Sequence, residues 1–260
     1  MLEVLRWHLD NAYANYNYLI FDSITNKAVA VDPFDVAILK DKLRQNNLDL
    51  IGVLITHEHG DHYYGLAELL ESYKVSVYAH SSNLNKIDGV THPVDDGDIV
   101  ALSETIDCEV IYTPGHIHGH VSFYFPCIQA LFCGDTVFNA GVGNVKHKSA
   151  NVTDLYHSVQ KIKQLPGSTK IYSGHDYFIT NLKFSKSIFS YEKYDQLIEF
   201  LSNQTSEMRT ISTVDDEKDY NLFFNTDHKG LRLKLEEILD RKMASGLEVF
   251  MALRSLRDRW

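Results

Sequence analysis

The sequence predicts an α/β fold followed by a mainly helical C-terminal region. Three observations carry that reading. Short apolar runs such as Leu50-Ile51-Gly52-Val53-Leu54-Ile55 and Val110-Ile111-Tyr112 recur through residues 1–170 and read as buried strands. Helical stretches intervene at 36–46, 64–73 and 152–165. Beyond about residue 178 the strand signals thin, and Leu and Ile fall at three- and four-residue spacing over 190–203 and 231–244.

Turn chemistry punctuates these elements. Asp96-Gly97-Asp98 and Pro114-Gly115 separate strands. The helix from 152 has an N-cap region at Asn151-Val152-Thr153-Asp154 and a stop at Pro166-Gly167. The chain has no internal repeat and no low-complexity segment.

Residues 56–62 read Thr-His-Glu-His-Gly-Asp-His, at the end of the apolar run 50–55. Imidazole and carboxylate suit zinc, iron and manganese alike. Ligand sites of α/β sheets gather outside the carboxyl ends of strands. His57 and His59 are two apart, so extended backbone points them to one side. Asp61 and His62 are adjacent and face elsewhere after a turn. One loop can therefore feed two metals, and neither half completes a coordination sphere.

Three further segments repeat the pattern of apolar strand, small residue and metal-type side chain. They are Thr113-Pro114-Gly115-His116, Leu131-Phe132-Cys133-Gly134-Asp135 and Lys170-Ile171-Tyr172-Ser173-Gly174-His175. A Gly before the ligand lets backbone and metal approach closely. Any one of His116, Asp135 or His175 alone would more often be a cap or turn residue. The four segments together favour ligation, because each supplies what the others lack. His120 reads as a supporting histidine, and His118 has no assigned role.

These elements resemble the metallo-β-lactamase superfamily: His-x-His-x-Asp-His at 57–62, Thr-Pro-Gly-His at 113–116, Cys-Gly-Asp-Thr at 133–136 and Gly-His at 174–175. The resemblance covers about the first two-thirds of the chain. It implies an αββα sandwich with a binuclear site at one edge, over residues 1–175; the helical region over 176–260 is expected, from the glyoxalase II resemblance below, to be a substrate-binding domain. It further implies that His57, His59 and His116 bind one metal, that Asp61, His62 and His175 bind a second, and that Asp135 bridges them. Asp61 and Asp135 are the carboxylates expected to act in catalysis. Zinc is the expected metal, with iron and manganese as alternatives.

A narrower resemblance is to glyoxalase II, the hydroxyacylglutathione hydrolases. Gly174-His175-Asp176-Tyr177 followed by Asn181-Leu182-Lys183-Phe184 is similar to that family's Gly-His-Glu-Tyr and Asn-Leu-x-Phe. Asn15–Ile20 leading to Ala30-Val31-Asp32-Pro33 looks like its first hairpin, and Leu253–Asp258 like its ending. The resemblance implies that Tyr177, Arg254 and Arg257 bind the glutathione carrier. Guanidinium forks suit a carboxylate. Two departures stand out. Asn144 occupies the place of a basic residue, and Lys146 that of an aromatic one, in the element that meets the glutathione peptide. The family's Asn-Pro-Phe-x-Arg is here Asn221-Leu222-Phe223-Phe224-Asn225.

The chain has 260 residues, 44% of them hydrophobic, and a formal net charge of −10. That charge argues against nucleic acid, whose phosphates need a basic face. No apolar run reaches membrane-span length, and the start lacks the features of a signal peptide. Cys108, Cys127 and Cys133 are odd in number and lack zinc spacing, which suits a reducing compartment. Together with the glyoxalase II resemblance, which implies the activity and S-lactoylglutathione as the leading substrate, the expectation is a cytoplasmic, monomeric hydrolase acting on a small-molecule thioester. A thiolate leaves with a pKa near 8.5, so no strong general acid is needed. The alternatives are a one-iron sulfur dioxygenase of the same superfamily, a hydrolase of another thioester, and a non-enzymatic module that retained the fold.

Overall fold

Alternating side chains on the strands decide how the first part of the chain packs. The computed structural model describes residues 1–260. Its strands are β1 (Leu2–His8), β2 (Tyr16–Asp22), β3 (Lys27–Val31), β4 (Asp49–Leu54), β5 (Ser76–His80), β6 (His92–Val94), β7 (Ile99–Ala101), β8 (Asp107–Tyr112), β9 (Val121–Phe125), β10 (Ala130–Gly134), β11 (Val137–Phe138), β12 (Gly141–Val142) and β13 (Lys170–Ser173). Its helices are α1 (Val36–Gln45), α2 (Gly60–Tyr63), α3 (Leu66–Ser72), α4 (Val152–Lys163), α5 (Phe178–Ile188), α6 (Glu192–Ser202), α7 (Val214–Tyr220), α8 (Lys229–Leu239) and α9 (Gly246–Arg257).

The chain divides into two compact units. The first comprises residues 1–112, 119–134 and 172–175. It carries a six-stranded sheet in the order β1-β2-β3-β4-β5-β6, antiparallel up to β3 and parallel from β3 onward. The second sheet runs β13-β10-β9-β8-β7. On β2, Leu19 joins Ala30, Val53, Leu39 and Leu69 in a core shared by the first sheet, α1 and α3. Its neighbour Tyr18 points the other way. That ring meets Phe132 at 5.2 Å and Tyr172 at 5.5 Å, and its hydroxyl donates to the Ser173 carbonyl at 2.5 Å. Successive residues of one strand thus bury against opposite layers.

The second unit comprises residues 113–118, 135–171 and 176–260. It holds the two-stranded hairpin β11–β12 and the helices α4 to α9. Phe250 of α9 packs edge-on against Tyr156 of α4 at 5.5 Å and against Phe223 at 5.2 Å.

Most element boundaries follow from local chemistry. Asp35 caps α1 through Ile38 N–H, and Asn151 caps α4 through Thr153 and Asp154 N–H. The expected helix over 231–244 is shorter, because Asp240 turns left-handed at φ 46° and ends α8. Four helices, α2, α5, α7 and α9, lie outside the expected helical stretches. Of these, α7 has a readable start, a capping box between Thr213 and Asp216.

Candidate active site

The heptad leaves β4 at Leu54 and enters the short helix α2, so the turn divides its ligands. In the first unit His57 Nε2 lies 3.0 Å from His59 Nδ1. Asp61, His62 and His175 form a second cluster, with their donor atoms all within 4.8 Å of one another. His62 Nε2 is 3.3 Å from His175 Nε2, and Asp61 Oδ2 lies 3.4 Å from His175 Nε2 and 3.6 Å from His62 Nε2.

The opposite ring nitrogens show that these imidazoles suit a cation. A carbonyl oxygen can only accept, so His175 Nδ1 donates to Tyr13 O at 2.8 Å. His62 Nδ1 donates to Asp32 Oδ2 at 2.9 Å. Each Nε2 therefore carries a lone pair toward the cluster, the tautomer a metal ligand needs. Asp32 does more. It accepts from Thr56 N–H at 2.8 Å and from the Thr56 hydroxyl at 2.7 Å. The same hydroxyl oxygen lies 3.0 Å from His57 Nδ1. One buried carboxylate thus orients His62 directly and His57 through Thr56. Asn15 Nδ2 donates to Asp61 Oδ2 at 3.2 Å. His120, expected to be a supporting histidine, is fully buried and stacks on the His57 ring at 4.8 Å. His118 is exposed.

Gly134 explains the close approach at the end of β10. Its φ is +45°, and a side chain there would meet Thr56 Oγ1 at 2.5 Å and His120 Nε2 at 2.8 Å.

In the second unit His116 Nε2 is 3.4 Å from Asp135 Oδ2. His116 Nδ1 donates to the Asn144 carbonyl at 2.8 Å, so its Nε2 also presents a lone pair. Gly115, at φ +132°, lets the loop lie against α4, since a Cβ would come within 2.2 Å of Leu155 N.

The second unit also contains a cavity of about 240 Å³, lined by Phe138, Asn144, Lys146, Tyr177, Arg254 and Arg257 among others. All five residues expected to contact substrate reach it, but their states differ. Arg254 is almost fully buried. Its Nη1 donates to the Val142 and Gly143 carbonyls at 3.0 and 3.2 Å, and its Nη2 to Asp258 at 2.8 Å. Arg257 is half-buried, 3.5 Å from Asn181 Oδ1, with its guanidinium 5.3 Å from the Trp260 ring centroid. Burial pulls both guanidinium groups below their ordinary value, and Asp258 opposes that. Asn144 Oδ1 accepts from Lys146 N–H at 3.1 Å, so its side chain shapes the turn. Lys146 is exposed. Tyr177 meets Phe138 edge-on at 5.1 Å.

Sequence reasoning left Asp32 and Trp260 without a role. Asp32 was visible only as part of the Ala30-Val31-Asp32-Pro33 run, and Trp260 carried no motif signal.

The model of the metallo-beta-lactamase superfamily matches residues 14–175, and that of the hydroxyacylglutathione hydrolase C-terminus matches residues 176–260. A hydroxyacylglutathione hydrolase of Francisella philomiragia is 40% identical over 263 residues, covering 99% of both chains. The BLEG-1 B3 metallo-beta-lactamase structure is 22% identical with a TM-score of 0.66, covering 85% of this chain and 99% of its own. The structure of TTHA1623 in a di-iron-bound form is 22% identical with a TM-score of 0.61, covering 84% and 99%. These two likenesses speak to the fold. One family's signature spans the segments that carry the ligand loops, another's spans the segment after His175, and the near-full-length relative joins both. The chain therefore belongs to the metallo-β-lactamase superfamily and, within it, to the hydroxyacylglutathione hydrolases.

Proposed function

We propose that this protein hydrolyses acylglutathione thioesters at a pair of divalent cations, with S-lactoylglutathione as the preferred substrate and lactate and glutathione as products. The observation that carries the reading is the set of histidines whose Nδ1 atoms are tied to Asp32, Tyr13 O and Asn144 O, leaving each Nε2 for a cation. His57, His59 and His116 would hold one ion, Asp61, His62 and His175 the other, and Asp135 both. Zinc is our assignment for the metal, a choice the His and Asp donors share with iron and manganese. Bound there, the cations would supply hydroxide at neutral pH, by lowering the pKa of water to about 7, and positive charge beside the acyl oxygen.

The chain's own groups do the rest. Asp32, Thr56 and Tyr13 O hold the imidazoles in one tautomer, so no reorganisation precedes catalysis. The thiolate of glutathione leaves without a strong acid. Lys146 and Arg257 face the cavity with donors that suit the carrier's carboxylates, and Tyr177 offers a hydroxyl to its peptide groups. Arg254 takes a structural part beside the carrier contact expected of it. Its Nη1 and Nη2 are engaged by two carbonyls and Asp258 while its Nε has no protein partner, so it braces the cavity wall that it also lines, and Arg257 has the freer guanidinium for the substrate. Residues 1–175 would then be the catalytic part and 176–260 the substrate-binding part.

No helix is long and apolar enough to cross a membrane. Cys108, Cys127 and Cys133 are free thiols, and we place the protein in the cytoplasm as a monomer.

The test is a hydrolysis panel on metal-analysed protein, comparing glutathione, coenzyme A and simple thiol esters. Two metal equivalents with a preference for glutathione esters support the proposal. Equal rates on all three would remove the glutathione assignment. One iron per chain, with oxygen uptake on glutathione persulfide, would replace hydrolysis by dioxygenation.

A further inference from the structure

The β11–β12 hairpin supplies Phe138 and Val142 to the wall of the cavity, yet it has only two residues per strand. Its two residue pairs are Val137 with Val142 and Phe138 with Gly141. So short a ribbon does not hold its own shape. Its turn is also strained, since Ala140 sits at φ 59°, a region that non-glycine residues rarely adopt. Something outside the hairpin must hold it.

Glu217 of α7 is the centre of what does. Its side chain is fully buried. Oε2 accepts from Ala140 N–H at 3.0 Å and from Asn221 Nδ2 at 2.7 Å. Oε1 accepts from the Ser212 hydroxyl at 2.5 Å, and that hydroxyl oxygen accepts from Asn139 Nδ2 at 2.5 Å. Asn221 Nδ2 also donates to Gly141 O at 3.1 Å. From α5, Asn181 Nδ2 donates to Asn139 O at 3.1 Å. Each of the turn residues 139, 140 and 141 is therefore held by a polar side chain of the helical segment or of the stretch that precedes α7.

We propose that Glu217 is a positioning residue for substrate binding: through Ala140, Ser212 and Asn221 it fixes the 139–141 turn and thereby sets the cavity wall formed by Phe138 and Val142. The inference rests on the reading that this cavity receives the thiol carrier. Glu217 touches neither the cavity nor a candidate metal ligand, so it acts on binding through the hairpin alone. Burial lifts its carboxyl from the usual range to about 7, so the neutral form is accessible near neutrality. An amide is neutral as well and keeps an oxygen for Ala140 and Asn221, the two bonds closest to the turn, whereas its NH₂ cannot accept from Ser212, whose hydroxyl must turn its hydrogen away.

The experiment compares wild-type, Glu217→Ala and Glu217→Gln full-length protein loaded with zinc. Glu217→Ala should raise KM for S-lactoylglutathione about tenfold, with kcat changed less than about threefold, the pattern of lost uniform binding. A short alkyl thioester without the peptide carrier should be turned over as before. Glu217→Gln should return KM to near the wild-type value. Amide hydrogen exchange over residues 137–143 should accelerate in Glu217→Ala and stay slow in Glu217→Gln. If Glu217→Ala does not fold, Ser212→Ala takes its place with the same readouts. Unchanged KM and unchanged exchange in a folded variant would overturn the inference, as would equal losses on both thioesters. The exchange readout needs no substrate. Wild-type protein inactive on acylglutathione would overturn the proposed function, whereas unchanged exchange overturns the role of Glu217.

Discussion

Asp32→Asn tests the tautomer argument most sharply. The change alters one atom at a residue whose φ of 48° Asn tolerates well. In the native protein the Asp32 carboxylate accepts three hydrogen bonds, from Thr56 N–H, the Thr56 hydroxyl and His62 Nδ1. An amide offers one acceptor and one donor. With its oxygen kept on Thr56 N–H, its NH₂ faces His62 Nδ1–H. To relieve that clash His62 must move its proton to Nε2, the atom that faces His175 and Asp61. The Thr56 hydroxyl must also turn its hydrogen away from position 32, toward His57 Nδ1, and the tautomer there inverts too. Two imidazoles would then point N–H bonds where a cation needs lone pairs. Losing such a partner costs about 10–100-fold in metal affinity, or roughly 1.4–2.7 kcal/mol. The assay is metal stoichiometry and chelator competition on the purified variant, with circular dichroism confirming the fold. Two metal equivalents held with wild-type affinity would refute the claim that Asp32 sets the tautomers.

The candidate ligand sets should separate by mutation. His175→Ala should deplete the ion shared with Asp61 and His62 while His116→Ala depletes the other, as read by metal analysis of folded protein; unchanged metal content in His175→Ala would point to a mononuclear enzyme. The two arginines should also differ. Arg254→Ala removes charged bonds to two carbonyls and to Asp258 and should lower stability by about 3 kcal/mol in denaturant melts. Arg257→Ala should leave stability nearly unchanged and raise KM about tenfold, the cost of one charged contact. Finally, Glu217 makes stability depend on pH. Its folded pKa of about 7 lies above the ordinary carboxyl value of 4.5, so its favourable contribution is complete below about pH 4.5 and is lost as pH rises through 7. Wild-type protein should lose on the order of 3 kcal/mol relative to Glu217→Gln across that window. Parallel melting curves for the two proteins between pH 5 and 8 would contradict the assignment.

Much of this was legible in the sequence because it is local. The strands that precede the heptad and its partner loops announce themselves as apolar runs, and ligand chemistry is written in residue type at their ends. The caps of α1 and α4 are equally local, since Asp35 and Asn151 bond within three residues of themselves. The role of Asp32 was not legible, because it depends on sheet topology. Parallel pairing of β3 with β4 sets Val31 opposite Leu54, and so brings Asp32 beside Thr56 from 24 residues away. Arg254 shows the same limit from the other side. Its spacing to Arg257 implies a shared face, and both line the cavity, but only the fold shows that Arg254 is buried with its Nη1 on the carbonyls of Val142 and Gly143 while Arg257 is half-buried. Residue chemistry and short-range periodicity determined which groups could bind metal and carrier. The tertiary structure determined which of them are oriented, and by what, because a hydrogen bond is specified by where two atoms meet.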